Sequence, residues 1–317
     1  MANTTISEPD MANTTISESD MANTTIKAAP TAFRAQRRAG GRRVRRGPLS
    51  RIGDVILAIT VILISAPFAY TVVTSLRPAS DVINDPLGWP TSLTVDNIAN
   101  AYSKMNYTQG LLSSTIVLAG TMILTIVVGS LAAYPLARIS RSWTTWVYRI
   151  FIAGSTVPIF VLIAPLYLFL RDLGLLNSYA GVILTYTAIN LPVAIFFYTS
   201  FFRQIPIELE EAAAIDGSGP VRTFFVVLFP LLRPVTATLA TFLTLSVWND
   251  LIVPLVFVQD PSLKTVMVNA YSLVGSYTLD PSLLFPAALL GVAPLLIVFA
   301  FLQRYIVSGL TMGAVKS

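Results

Sequence analysis

The 317-residue chain contains no cysteine and no histidine, and only 12% of it is charged. Without cysteine there is no disulfide framework, thiolate nucleophile, iron–sulfur cluster or cysteine-bound zinc. Without histidine there is no imidazole base and no imidazole metal ligand, so neither a metal centre nor a cofactor is expected. A soluble domain usually carries roughly a quarter charged residues, and half that density does not coat a water-facing globule. Hydrophobic residues make up 54% of the chain, and the mean hydropathy is +0.70. The fold class that follows is all-α, a polytopic membrane protein, and a soluble enzyme is all but excluded.

Enzyme signatures are also missing. No G-x-x-x-x-G-K-[ST] loop cradles nucleotide phosphates, and neither G-x-S-x-G nor H-E-x-x-H occurs. Of 16 acidic residues, four lie in the first twenty positions, and no pair is spaced as a catalytic dyad. Any ATP-driven work would have to be borrowed from another subunit. A nucleic-acid partner is not expected.

What is present begins with an unusual start. MANTTISEPD, MANTTISESD and MANTTIKAAP repeat one decapeptide three times, and eight arginines follow between Arg34 and Arg51. The repeat is too short for a solenoid unit and has no apolar face to bury. Residues 1–51 therefore read as a disordered cytoplasmic tail, with Met1, Met11 and Met21 each a candidate first residue. Its arginines either bind anionic membrane lipid or simply fix topology. Residues 52–317 read as a transmembrane domain.

Six apolar runs reach spanning length: 55–76, 105–137 (from about Leu111), 150–170, 173–202, Pro234 to about Val258, and a stretch within 281–303. With the tail inside, the inner segments hold Arg138, Arg141, Arg149, Arg203, Arg222, Arg233, Arg304 and Lys316. With the tail this makes seventeen basic residues, against four outside: Arg77, Lys104, Arg171 and Lys264. The sidedness predicts six helices with both termini inside. Gly129, Ala133 and Ala137 form a small-residue stripe for close helix packing, within the chain or on a second subunit.

Two polar features interrupt this pattern. Between the fourth and fifth spans, Pro206 and Glu208, Glu210 and Glu211 favour a helix start, Ala212 to Ala214 propagate it, and Gly217 beside Asp216 ends it. Pro220 opens a second short helix that Pro230 and Pro234 end or bend. By itself this is a surface helix with a glycine cap or a docking element. The second feature is Asp250, the one acid within a span. It serves as an ion relay, as a polar lining for a hydroxylated solute, or as a partner of a neighbouring helix. Asn249, Asn190 and Tyr186 are further candidates for lining a translocation path.

Glu211-Ala212-Ala213, then Gly217, then Val227-Leu-Phe229-Pro230 resembles the signature E-A-A-x3-G-x9-I-x-L-P of integral membrane permease subunits of ATP-binding-cassette importers. Val227 stands for isoleucine and Phe229 for leucine. The similarity extends over about residues 50–317, through RDLGLLNSYAGVIL, NLPVAIFFYTSFFRQIPIELEEAAAIDG, Trp248-Asn249-Asp250 and QRYIVSGLTMGAVKS, to the sugar-importing branch similar to the maltose transporter's G subunit. The resemblance implies that Glu211, Ala212, Ala213, Asp216, Gly217 and Pro230 belong to a cytoplasmic coupling loop that docks on ATP-hydrolysing subunits. It also implies a second homologous permease, a pair of ATPase subunits and an extracytoplasmic solute-binding protein. The expected location is the bacterial cytoplasmic membrane.

The alternative cargo is another polar solute, glycerol phosphate or a polyamine; a phosphate should favour a more basic path than these spans offer. An integral membrane enzyme would need acids, histidines or arginines clustered at one membrane face, which the sequence lacks. A secondary transporter would want buried titratable pairs, and only Asp250 is present.

Overall fold

The computed structural model describes residues 48–274 and 280–314, with side-chain environments over 52–274 and 280–300. The decapeptide repeats and most of the arginine segment lie outside the described residues, as do 275–279 and 315–317. The chain divides into two units, 1–59 and 60–317. Helix α1 (Pro48–Ser75) begins in the first and ends in the second. Within the second unit follow α2 (Ala79–Asn84), α3 (Asp96–Lys104), α4 (Tyr107–Arg138), α5 (Ser142–Gly154), α6 (Ile159–Asp172) and α7 (Tyr179–Phe202). After these come α8 (Glu208–Ile215), α9 (Pro220–Arg222), a π-helical turn (Thr223–Leu228), α10 (Phe229–Leu231), α11 (Arg233–Trp248) and α12 (Ile252–Phe257). A 3₁₀ turn (Pro261–Leu263), α13 (Val266–Tyr271) and α14 (Pro281–Ala314) complete the series. Among the described residues there is no strand.

Four continuous helices are long and apolar enough to cross a bilayer: 52–75, 107–138, 179–202 and 281–300. Two bent helix pairs bring the number of candidate spans to six when each pair is counted as one span, against the six helices expected. Where the third span is expected over 150–170, α5 begins at Ser142 and meets α6 at 102°. Pro158 lacks an N–H and cannot continue the ladder. The Ser155 and Thr156 hydroxyls instead donate to the Ile152 and Ala153 carbonyls at 2.7 Å.

The expected fifth span is also broken. The segment 220–231 bends by 72° into α11, and α11 ends at Trp248 rather than running to Val258. Pro230 has no N–H to give and its ring would crowd the carbonyl four residues back. The wider i→i+5 turn just before it relieves that conflict, with the Phe229 amide reaching the Phe224 carbonyl.

Helix α4 lies along α7, and the small-residue stripe explains how closely. Ala133 is fully buried, and a Cβ placed on Gly129 would sit 2.8 Å from the Ala194 Cβ and 3.7 Å from the Tyr198 ring. The stripe therefore serves packing within the chain. Gly129→Leu is expected to destabilise the protein by about 1–3 kcal/mol through overpacking, read as a lowered unfolding midpoint in detergent. Below this contact the core continues through Phe202, Phe224, Leu228, Leu232, Leu239 and Leu243.

The opposite end of the bundle from α8 is tied by polar contacts. Arg77 is 1% exposed. Its guanidinium donates to the carbonyls of Pro86 at 3.1 Å, Asp81 at 3.1 Å and Asp85 at 2.7 Å. It thus gathers carbonyls of α2 and of the turn that follows it. Asn177, at φ 56°, accepts from the amides of Gln259 and Asp260 at 3.0 and 2.8 Å. The Ser262 amide and hydroxyl hold the Asp260 carboxyl below its ordinary range.

Candidate functional site

Helix α8 has the three glutamates Glu208, Glu210 and Glu211 in its first turn, where the exposed amides and the helix dipole favour negative charge. Pro206 lies just before the helix rather than within its first turn. At the other end Gly217 has φ +77°, a conformation that costs a side-chain-bearing residue far more. The Gly217 amide reaches the Ala214 carbonyl at 3.0 Å, and the Ser218 amide reaches the Ala213 carbonyl at 2.9 Å. These two bonds make the Schellman closure that the sequence implies.

The exposed side of α8 carries Glu211, Ala212, Asp216 and Gly217, whereas Ala213 is buried against the π turn that α8 packs on. Among the described residues the Glu211 carboxylate has no hydrogen-bond or ion-pair partner. Ile215 stands 87% exposed and Val221 70% exposed, so apolar side chains sit in the open beside the acids. Pro230 is half-buried in α10. With Phe229, Arg233, Thr236, Ala237 and Ala240 it lines a cavity of about 370 Å³.

Glu210 behaves differently from Glu211. Its Oε1 accepts from the Arg138 Nε at 2.6 Å, and its Oε2 accepts from the Tyr134 hydroxyl at 2.6 Å. The Arg138 Nη2 also donates to the Ile205 carbonyl at 3.0 Å. The Tyr134 ring meets Phe202 and Phe224 edge-on, with centroids 5.6 and 5.7 Å away. In the sequence Arg138 reads only as a topology charge and Tyr134 carries no mark of a role. The one local hint was a Tyr–Arg pair four residues apart on one face at the end of a span.

The second candidate group gathers where α7 faces the break after α11. The Tyr186 hydroxyl donates to Asp250 Oδ2 at 2.7 Å. The same carboxylate accepts from the amides of Ile252 at 3.3 Å and Val253 at 3.1 Å. Asp250 therefore caps the start of α12, satisfying amides that the chain break frees. The Asn190 Nδ2 donates to the Tyr186 carbonyl at 2.8 Å. Tyr186 and Asn190 are each 3% exposed. Asn249 does not join them: it is exposed and donates back to the Leu245 carbonyl at 3.0 Å. The structure thus unites Tyr186, Asn190 and Asp250 and sets Asn249 apart.

An all-helical chain with four to six candidate spans and a short acidic helix exposed between two of them is a multi-pass membrane protein. The chain belongs to the family of binding-protein-dependent transport system inner membrane components, which residues 125–312 match. It is 34% identical over 267 residues to the diacetylchitobiose uptake system permease protein NgcG of Streptomyces coelicolor, covering 84% of this chain and 88% of the relative. It is 33% identical over 267 residues to the melibiose/raffinose/stachyose import permease protein MelC of Bacillus subtilis, covering 84% and 96%. Among solved structures it resembles a chain of a bacterial ABC transporter involved in import of the acidic polysaccharide alginate. That likeness has a TM-score of 0.71 and covers 81% of this chain and 96% of the other. At 18% identity it is a likeness of fold.

Proposed function

We propose that the chain is a permease subunit of an ATP-binding-cassette importer for sugars. It forms the translocation path with a second permease, is driven by separate ATPase subunits and is supplied by an extracytoplasmic binding protein. Family membership supports the importer class, and the relatives' named saccharides support the cargo. We place both termini and α8 on the cytoplasmic side, from the excess of basic residues there, with residues 1–51 as a tail on that side. In this reading Glu211, Ala212, Ala213, Asp216, Gly217 and Pro230 belong to the coupling loop that meets the ATPase. The observation that carries this reading is the free face of α8, where an unpaired Glu211 stands beside exposed Ile215. Exposed apolar side chains next to uncompensated charge suit a protein partner.

Charge reversal tests the docking face. Glu211→Lys is expected to leave membrane abundance unchanged and to reduce co-purification of the ATPase subunits by roughly tenfold or more, the weight of a central interface contact. Cargo is tested in the reconstituted complex with its binding protein, using diacetylchitobiose, melibiose and raffinose beside glycerol phosphate and spermidine. A saccharide is expected to stimulate ATP hydrolysis. Stimulation by glycerol phosphate or spermidine alone would overturn the sugar reading.

A further inference from the structure

We propose that Tyr134, Arg138 and Glu210 form a positioning clamp that makes α8 move as one body with α4. A push on α8 is then delivered into the packed core along α4. The inference rests on the reading of α8 as the ATPase-docking element and adds how the force leaves it.

An eight-residue helix is too short to hold its own geometry in water, so its tethers decide how it moves. Tyr134 and Arg138 lie four residues apart at the end of α4, so their side chains share a face. Each occupies one oxygen of the Glu210 carboxylate, which fixes the carboxylate in rotation as well as in position. The remaining Arg138 contact goes to the Ile205 carbonyl, so one guanidinium grips the chain on both sides of Pro206. The Arg138 and Glu210 side chains are only 14% and 16% exposed, where water and salt screen a charge pair less than at an open surface.

Behind the clamp the Tyr134 ring is wedged against Phe202 of α7 and Phe224 of the π turn. The hydroxyl is therefore aimed by packing. Adjacent helical residues point about 100° apart, and this divides the two neighbouring glutamates. Glu211 faces outward to a partner, whereas Glu210 faces inward to α4.

The chain has no cysteine, so paired spin labels can be placed at will. Ile139→Cys and Ala214→Cys put labels on exposed positions at the end of α4 and on α8. The measurement is the label separation in the complete importer, nucleotide-free and trapped with ATP and vanadate. With the clamp intact, the separation is expected to be the same in both states. In Glu210→Gln, and in the shape-preserving Tyr134→Phe, trapping is expected to shift or broaden it while the ATPase subunits still co-purify.

A nucleotide-dependent separation with the clamp intact would overturn the proposal. So would an unchanged separation in both variants, or loss of the ATPase subunits from Glu210→Gln, which would make Glu210 a partner contact. Failure of the docking reading has a different signature: Glu211→Lys would retain its ATPase subunits whatever the labels show.

Discussion

Uptake is expected to vanish when Gly217 is replaced by proline, with the chain still reaching the membrane in normal amount. The position has φ +77°, whereas a proline ring holds φ near −65° and supplies no N–H. The bond from residue 217 to the Ala214 carbonyl would go, and the backbone reversal that aims Ser218 at the Ala213 carbonyl could not form. The local cost is about 3 kcal/mol, enough to unravel the last turn of a helix this short. Nothing lies within 4 Å of a Cβ built at Gly217, so the damage is conformational rather than steric and stays in α8. A graded series follows: Gly217→Asn retains most uptake because asparagine tolerates this conformation, and Gly217→Ala loses part, at about 1–2 kcal/mol. Membrane abundance, uptake and ATP hydrolysis measured together check the series. Normal uptake in the proline variant would sink the assignment of α8 as the coupling element.

The second large effect is expected at Asp250. Its carboxylate serves one side chain and two backbone amides, so Asp250→Ala strips the cap from α12. It also leaves the buried Tyr186 hydroxyl without this acceptor. An unsatisfied buried hydroxyl costs about 1–3 kcal/mol and a lost cap about 1 kcal/mol, together roughly 2–4 kcal/mol of stability. Tyr186→Phe removes the stranded group, so Asp250→Ala with Tyr186→Phe is expected to be less destabilised than the sum of the single changes. Asp250→Asn separates bracing from solute contact, because asparagine caps nearly as well as aspartate. Near-normal folding and uptake in that variant is the outcome expected of a brace. Normal folding with uptake lost would instead make the charge part of the solute path. Thermal unfolding in detergent and transport assays read the two quantities separately.

These two sites differ in how much of them could be read from the chain alone. The ends of α8 are set by neighbours in sequence, acids at its start and a glycine just past its finish, and both lie where the residues predict. Long crossings such as α4 and α7 are equally local, since run length and hydrophobicity decide them. Asp250 is conspicuous as a charge in an apolar run, but its role as a cap depends on a break at Asn249–Leu251. Pro254 lies four residues beyond Asp250 and denies its carbonyl an amide partner, and the elbow at Ser155–Pro158 has its proline too. Proline is common enough within membrane helices that its presence did not distinguish a kink from a 102° turn. Arg138 and Glu210 lie 72 residues apart, and Arg77 reaches carbonyls that only folding gathers. No period or spacing carries such pairings, because they depend on which helix ends the tertiary fold brings together.

The elbow between α5 and α6 also bears on what can surround this chain. With 13 and 14 residues, each arm is about 20 Å long, too short to cross a core about 30 Å thick. Read as one broken span, the pair puts residues 153–158, all exposed on this chain, at hydrocarbon depth. Non-helical backbone there has to be satisfied by protein. The Ser155, Thr156 and Val157 amides reach the Phe151, Ala153 and Gly154 carbonyls, and two hydroxyls cover the Ile152 and Ala153 carbonyls. The elbow carries its own bonds, so its exposure does not by itself call for a second polypeptide.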